Sequence, residues 1–177
     1  MTKLAILAAF VLALPACSTS VSMAAPDVPA ALAVPTGNTL ALELHASGVQ
    51  IYVCQPKKDD PTTFEWAFSA PDAQLTDLSG KAAGHHEKGP IWVSTDGSKV
   101  TGKLEQKADA PGANDIPWLL LSAKSVEGSG AFGKVTYIQR LATQGGKAPK
   151  DGADAAHAGQ EQRVEYKANY YFYVAGK

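Results

Sequence analysis

The chain has 177 residues, with 16 basic and 17 acidic side chains and a formal net charge of −1 at pH 7. This balance leaves no basic surface of the kind that binds nucleic acid, so we expect no nucleic-acid partner. Glycine and proline are frequent, at 16 and 11 residues, and they separate short apolar runs. Short apolar runs separated by glycine and proline are typical of an all-β protein and do not favour a helical one.

The first 16 residues are organised like a secretory signal peptide. Lys3 precedes an apolar run from Leu4 to Leu14, which is too short to span a bilayer as a mature helix. The run ends in Leu14-Pro15-Ala16-Cys17, which resembles the bacterial lipobox, where a small residue precedes a cysteine that becomes lipidated. We therefore predict a lipoprotein-type signal peptide over residues 1–16, with the lipid on Cys17.

The membrane partner and the location of the protein follow from this anchor. More than one acyl chain on Cys17 would hold the protein stably at a membrane. Ser18 after that cysteine is typical of sorting to the outer membrane. We expect an exported outer-membrane lipoprotein that faces the periplasm or the cell surface. The alternative is cleavage after Ala24, which would give a soluble periplasmic or secreted protein.

The remaining chain divides into a tether and one domain. Residues 17–33 are rich in Ser, Ala, Pro and Val and nearly uncharged, which predicts a flexible tether. Residues 34–177 are long enough for a single β domain with a real core. Cys54 is the only cysteine in that domain and cannot form an internal disulfide. Its place in an apolar strand predicts a buried thiol.

Nine stretches of the domain have the pattern of β-strands. Most alternate apolar and polar residues, whereas the stretch after Pro117 is apolar on both faces and predicts a strand that is covered on both sides. Asp96-Gly97 predicts a hairpin turn. The nine stretches are residues 40–45, 49–54, 64–68, 74–78, 91–94, 99–106, 117–123, 134–143 and 163–174. We predict an all-β fold with little helix, either a β-sandwich or a barrel-like antiparallel sheet of about nine strands.

Six stretches of the chain occur in an order that resembles one protein family. They are GVQIYVC from Gly48, PDAQL from Pro71, GHHEKGPIW from Gly84, IPWLLL from Ile116, VTYIQRLATQGGKAP from Val135 and YKANYYFY from Tyr166. From about residue 32 to residue 174 the chain is similar to the secreted bacterial and fungal proteins of domain-of-unknown-function family 3455. The resemblance implies a secreted all-β domain without an established activity. Many members also have a second cysteine after the GG-x-AP segment, which this chain lacks.

His85 and His86 are the candidate metal ligands, because imidazole binds Zn²⁺ and Cu²⁺. Neighbouring residues of a strand point to opposite faces, so the pair could chelate one ion only from an irregular loop. No third ligand accompanies them at a metal-site spacing. We predict no cofactor. The alternative function is a metal-binding protein or a metal-dependent enzyme that uses Zn²⁺ or Cu²⁺ at His85 and His86.

The candidate ligand-binding residues are aromatic and polar side chains from several strands. Trp92 is expected to face away from an inward-facing Ile91 and Val93. Tyr171 and Tyr173 are expected on the polar face of the last strand, as a surface for a partner or a sugar. The full candidate set is His85, His86, Trp92, Asp96, Arg140, Tyr171 and Tyr173.

Arg140 stands within a predicted strand and is expected to hold a carboxylate such as Asp96 or Asp115.

Neither a nucleophile elbow nor a distinctive pair of carboxylates is present, so the pattern does not favour an enzyme. We predict a non-catalytic domain that binds a ligand or partner outside the cytoplasm: an envelope component, a small molecule or a glycan.

Overall fold

The computed structural model describes residues 23–176, which form eight antiparallel strands in one sheet that closes into a barrel. The strands are β1 (Asn38–Pro56), β2 (Phe64–Thr76), β3 (Ala82–Glu87), β4 (Ile91–Ser94), β5 (Lys99–Ala108), β6 (Trp118–Glu127), β7 (Val135–Gly145) and β8 (Glu161–Ala175). Each strand pairs with the next along the chain, and β8 pairs with β1 to close the sheet. The only helical elements in this part of the chain are the 3-10 turns Ala30–Leu32 and Ala155–His157. The all-β prediction is confirmed, in its barrel-like form.

The number of strands is eight instead of nine, because two predicted breaks do not exist and one strand was not predicted. Residues 40–54 lie in the single strand β1, although the sequence pattern predicted two separate strands, 40–45 and 49–54. A Cβ at Gly48 would lie only 2.2 Å from the carbonyl oxygen of Asp72, so this glycine permits close approach of β1 and β2. In the same way β2 continues through Pro71, where a break was expected.

The structure adds one strand that the sequence pattern did not predict. β3 contains both His85 and His86 and pairs with β2 on one side and β4 on the other. Its residues, AAGHHE, include no β-branched side chain, so the usual signal of a strand is missing. The histidine pair therefore lies in the wall of the barrel and not in a loop.

The interior of the barrel is filled by every second residue of its strands, as the alternation of side chains requires. In β8 the inward residues are the ones that the alternation predicted: Tyr166, Ala168, Tyr170 and Phe172 are all buried. One end of the barrel is closed by Phe132, from the connection between β6 and β7. Its fully buried ring lies 4.7 Å from that of Phe172, measured between ring centroids. We call this end the Phe132 end.

A second apolar cluster covers part of the outer face of the barrel. Leu32, in the first 3-10 turn, is fully buried and packs in one cluster with Leu120. The Gln139 side-chain amide donates a hydrogen bond of 2.7 Å to the Leu32 carbonyl oxygen. The predicted double coverage of β6 is thus confirmed, since Leu120 faces Leu32 and Leu121 faces the interior. Residues 28–34 pack on the barrel, at the end of the segment for which a tether was predicted.

The predicted signal peptide, the lipobox and Cys17 lie outside the described residues. Within residues 23–176, no helix is long and apolar enough to cross a membrane. Cys54 is buried, as predicted, with 1% of its surface exposed. Its backbone N–H donates to Gln160 and its carbonyl oxygen accepts from Gly159, so backbone hydrogen bonds fix the β7–β8 connection beside it.

Candidate functional site

The barrel interior contains a cavity of about 190 Å³ at the end opposite Phe132. The β3–β4 turn and the β5–β6 and β7–β8 connections lie at this end. Each of the eight strands supplies at least one wall residue. An eight-stranded barrel has room for one small ligand inside when side chains do not fill it. The residues that line this barrel cavity are Gln50, Phe68, Pro71, His86, Gly89, Pro90, Trp92, Leu104, Leu119, Leu121, Arg140 and Tyr170.

One wall of the barrel cavity is a packed group of three aromatic rings. His86 and Trp92 are directly opposite each other on β3 and β4, and their rings stack with centroids 4.4 Å apart and planes within 3°. Tyr170 meets both rings edge-on, at 5.3 and 5.4 Å. A Cβ at Gly102 would lie 3.0 Å from the Trp92 ring, so the glycine leaves room for the indole. Trp92 therefore faces inward, and the prediction that Ile91 and Val93 face inward instead is wrong.

His86 is a neutral hydrogen-bonding group within this wall. Its Nδ1 lies 2.9 Å from the Ile91 carbonyl oxygen, which can only accept, so Nδ1 carries the proton. Burial lowers the pKa of His86 to about 3, and the nearby charge of Arg140 acts in the same direction. The Nε2 atom is therefore an unprotonated acceptor at neutral pH.

Several buried polar atoms at the barrel cavity have no hydrogen-bond partner among the described residues. They are the Tyr170 hydroxyl, the Nε2 of Gln50 and the Nε1 of Trp92, and the unpaired Tyr166 hydroxyl lies beside them in the core. Burial raises the pKa of both tyrosines, which keeps their hydroxyls protonated. The two hydroxyls are close enough to affect each other's pKa, without the geometry of a good hydrogen bond. Native proteins rarely leave buried polar atoms unpaired, so these atoms indicate a site that bonds something else.

Arg140 points into the barrel cavity from β7. Its Nε and Nη2 donate to the Pro117 carbonyl oxygen at 3.2 and 2.8 Å. No carboxylate of residues 23–176 forms an ion pair with it, so the expected pairing with Asp96 or Asp115 is wrong. Asp115 instead accepts a hydrogen bond of 2.6 Å from the backbone N–H of Gly145.

Asp96 lies at the Phe132 end and not at the barrel cavity. Its carboxylate accepts from the Ser98 hydroxyl at 2.5 Å and from the backbone N–H groups of Ser98 and Ala131, both at 2.8 Å. These hydrogen bonds lower the pKa of Asp96 to about 2. The carboxylate fastens the β4–β5 turn to the connection that carries Phe132, which is a structural role.

His85 points away from His86, as strand alternation requires. Its Nε2 lies 3.2 Å from the Glu87 carboxylate on the outer face, whereas His86 is 4% exposed. One metal ion cannot bind both imidazoles in this arrangement. Across the described residues, no three or more His, Cys, Asp or Glu side chains come together as a metal site.

Tyr171 and Tyr173 lie on the outer face of β8, beneath the N-terminal segment. Tyr173 is 3% exposed and its hydroxyl donates to the Gln139 side chain at 2.7 Å. Burial raises the pKa of Tyr173 to about 12. Tyr171 packs against the cluster around Leu32. Both rings are away from the barrel cavity and contribute to packing.

Of the seven candidate residues, the structure brings His86, Trp92 and Arg140 together at the barrel cavity. Sequence reasoning missed Gln50, although a signal existed. In the apolar strand around it, Gln50 has the same parity as the buried Tyr52 and Cys54, and a polar residue at an inward position indicates a polar interior site. Tyr170, on the inward face of β8, is a further wall residue that was not among the candidates.

A family model described as "Protein of unknown function (DUF3455)" matches residues 35–174. No curated protein and no solved structure matches the chain. The six stretches on which the resemblance to this family rests each supply at least one wall residue of the barrel cavity. They converge at one place, although they are far apart along the chain.

Proposed function

This chain belongs to the DUF3455 family, and we propose that it is a non-catalytic binding protein that holds one small, largely apolar molecule in the barrel cavity. The observation that carries this proposal is the barrel cavity itself. All eight strands build it, aromatic and aliphatic side chains form most of its wall, and a few unpaired polar groups reach it. Such a combination is typical of small-molecule sites.

The size and the rim of the barrel cavity define the ligand further. An apolar cavity of about 150 Å³ accepts a benzene molecule, so about 190 Å³ suits one ring with a small substituent. Phe68 and Leu104 line the rim and are 56% and 51% exposed. Large apolar side chains kept in solvent at a cavity mouth are a feature of ligand entry sites.

The chemistry of the wall supports binding without catalysis. The twelve lining residues include no carboxylate, serine or cysteine side chain, and burial raises the pKa of the Tyr170 hydroxyl, which makes it a poor nucleophile at neutral pH. His86 donates its Nδ1 proton to the Ile91 carbonyl oxygen, and its lowered pKa, about 3, makes it a poor base at neutral pH. No observation favours the metal-dependent alternative at His85 and His86.

Leu119→Phe tests the proposal, because it adds volume to a half-buried wall residue of the barrel cavity. We expect the variant to bind one-ring ligands at least about tenfold more weakly than the unaltered protein, a change of about 1.4 kcal/mol. Affinities would be measured by calorimetry after ligand-observed NMR has identified binders. The matched control is Leu78→Phe, at a site that is 63% exposed and outside the cavity. A folded Leu119→Phe protein with unchanged affinity would contradict the proposal.

We propose in addition that the protein works outside the cytoplasm, held at the outer membrane by a lipid on Cys17. The apolar run Leu4 to Leu14 and the lipobox-like residues that follow it support this location. The alternative remains a soluble protein released by cleavage after Ala24.

Cys17→Ala is expected to abolish incorporation of an alkyne-tagged palmitate in growing cells and to release the protein from the membrane fraction. Cys54→Ala is the matched control, since Cys54 is the chain's other cysteine and is buried. It should be labelled like the unaltered protein. An unlabelled protein with a mature N-terminus at Ala25 would overturn the lipid anchor and establish the soluble form.

A further inference from the structure

The two arginines of the chain have different electrostatic surroundings. Arg163 is on the outside, where it forms an ion pair of 2.6 Å with Asp72. Arg140 is half-buried at the barrel cavity, donates to the Pro117 carbonyl oxygen and lies beside the Tyr170 hydroxyl, and it forms no ion pair within residues 23–176. A half-buried guanidinium group without an ion pair attracts an opposite charge more strongly than an exposed one, so this position favours an anion.

Other hydrogen-bond donors accompany Arg140 at the barrel cavity. The Tyr170 hydroxyl lies beside Arg140, and the Gln50 side chain lies beside the Tyr166 hydroxyl. Both residues are buried, and in the part of the chain that the structure describes neither the Tyr170 hydroxyl nor the Gln50 Nε2 forms a hydrogen bond of good geometry. The guanidinium group has five N–H donors, of which the Pro117 carbonyl oxygen engages two. A carboxylate accepts about four hydrogen bonds through two oxygens and matches a planar guanidinium group in two-point contact.

We infer that the molecule bound in the barrel cavity is a one-ring monocarboxylic acid, whose carboxylate is held by Arg140 with Tyr170 and Gln50. Its ring packs against Trp92 and Leu121. The inference deepens the proposed function and rests on it. The ligand has one acidic group because the barrel cavity presents one cation. A neutral amide or alcohol of the same shape would leave Arg140 without its counter-charge.

Benzoate and benzamide are suitable probes, because they share a ring and differ in charge at neutral pH. We expect the unaltered protein to bind benzoate at least about tenfold more tightly than benzamide. Arg140→Met should remove that preference, and Arg140→Lys should restore part of it, because lysine keeps the charge without the two-point geometry. Arg163→Met, the matched control, should keep the preference unchanged. Calorimetry at low and high salt would give the affinities.

The outcomes separate this inference from the proposed function. If the unaltered protein binds benzamide as tightly as benzoate, or if folded Arg140→Met keeps the preference for benzoate, the carboxylate assignment is overturned while the binding cavity stands. If neither probe nor any other one-ring molecule binds, the proposed function is overturned as well. The ranking of the two probes is measured on the unaltered chain, so it decides the inference even if Arg140→Met does not fold.

Discussion

Acidification from about pH 7 to about pH 4.5 is expected to lower the free energy of unfolding, by about 1.4 kcal/mol for each pH unit below about 6.5. The cause is His86, whose pKa falls from an ordinary 6.5 to about 3 in the folded protein because the imidazole is buried. Between these two values the unfolded chain binds more protons than the folded one, so stability decreases as the pH falls. The stability contributed by neutral, buried His86 is fully present above about pH 6.5 and is lost by about pH 3.

Urea unfolding at a series of pH values measures this effect. His86→Gln should remove most of the slope between about pH 6.5 and 4.5, a range above the titration of most carboxylates. His85→Gln is the matched control, since it removes a neighbouring histidine that is 45% exposed by side chain, and it should keep the slope. The same slope in His86→Gln and in the unaltered protein would contradict a buried neutral His86.

Trp92→Ala is expected to destabilise the protein by about 3–5 kcal/mol, the usual cost of removing a large buried aromatic side chain. Trp92 is 1% exposed. It stacks on His86 and meets Tyr170 and Phe172 edge-on, so it joins the barrel cavity to the core toward the Phe132 end. Its removal leaves a void that three rings border and that the closed sheet cannot easily collapse.

The unfolding free energy of Trp118→Ala provides the comparison. Trp118 is half-buried and packs in the outer cluster, so its loss should cost clearly less. Trp92→Phe should fall between the unaltered protein and Trp92→Ala, because a smaller ring still contacts His86. An equal loss of unfolding free energy in Trp92→Ala and Trp118→Ala would contradict this prediction. It would mean that the wall of the barrel cavity is not the main packing region of the domain.

The elements that sequence predicted well are those set by local periodicity. β8 alternates along its whole length, and its inward residues Tyr166 to Phe172 followed from that alternation alone. β6 was correctly expected to be covered on both faces, because Leu120 and Leu121 are both apolar neighbours. A period of two residues is a property of one strand and needs no knowledge of its partners.

The elements that sequence missed depend on contacts between distant residues. Gly48 lies in the gap between two predicted strands, yet it continues β1 and allows close approach to Asp72 across the sheet. β3 lacks strand-forming residues and exists because β2 and β4 pair with it on both sides. The tertiary arrangement overrides local propensity in each case.

The candidate site, too, was predictable only where local sequence determines it. His86, Trp92 and Arg140 were recognised as side chains with chemistry. Their meeting depends on the register of β3 with β4 and on closure of the barrel by β1 and β8. No local sequence pattern predicts that Arg140 has no carboxylate as an ion-pair partner, because the partner depends on the whole fold. The Asp96 carboxylate was a reasonable partner by charge, but the barrel holds it at the Phe132 end.

A crystal structure of the protein soaked in para-bromobenzoate tests the central claim most directly, because the anomalous signal of bromine locates the ring. The binding proposal predicts one bromine peak inside the barrel cavity, beside Trp92 and Leu121, with the carboxylate at Arg140. A bromine peak only on the outer face, or an unoccupied barrel cavity under conditions where solution titration shows saturation, would contradict it.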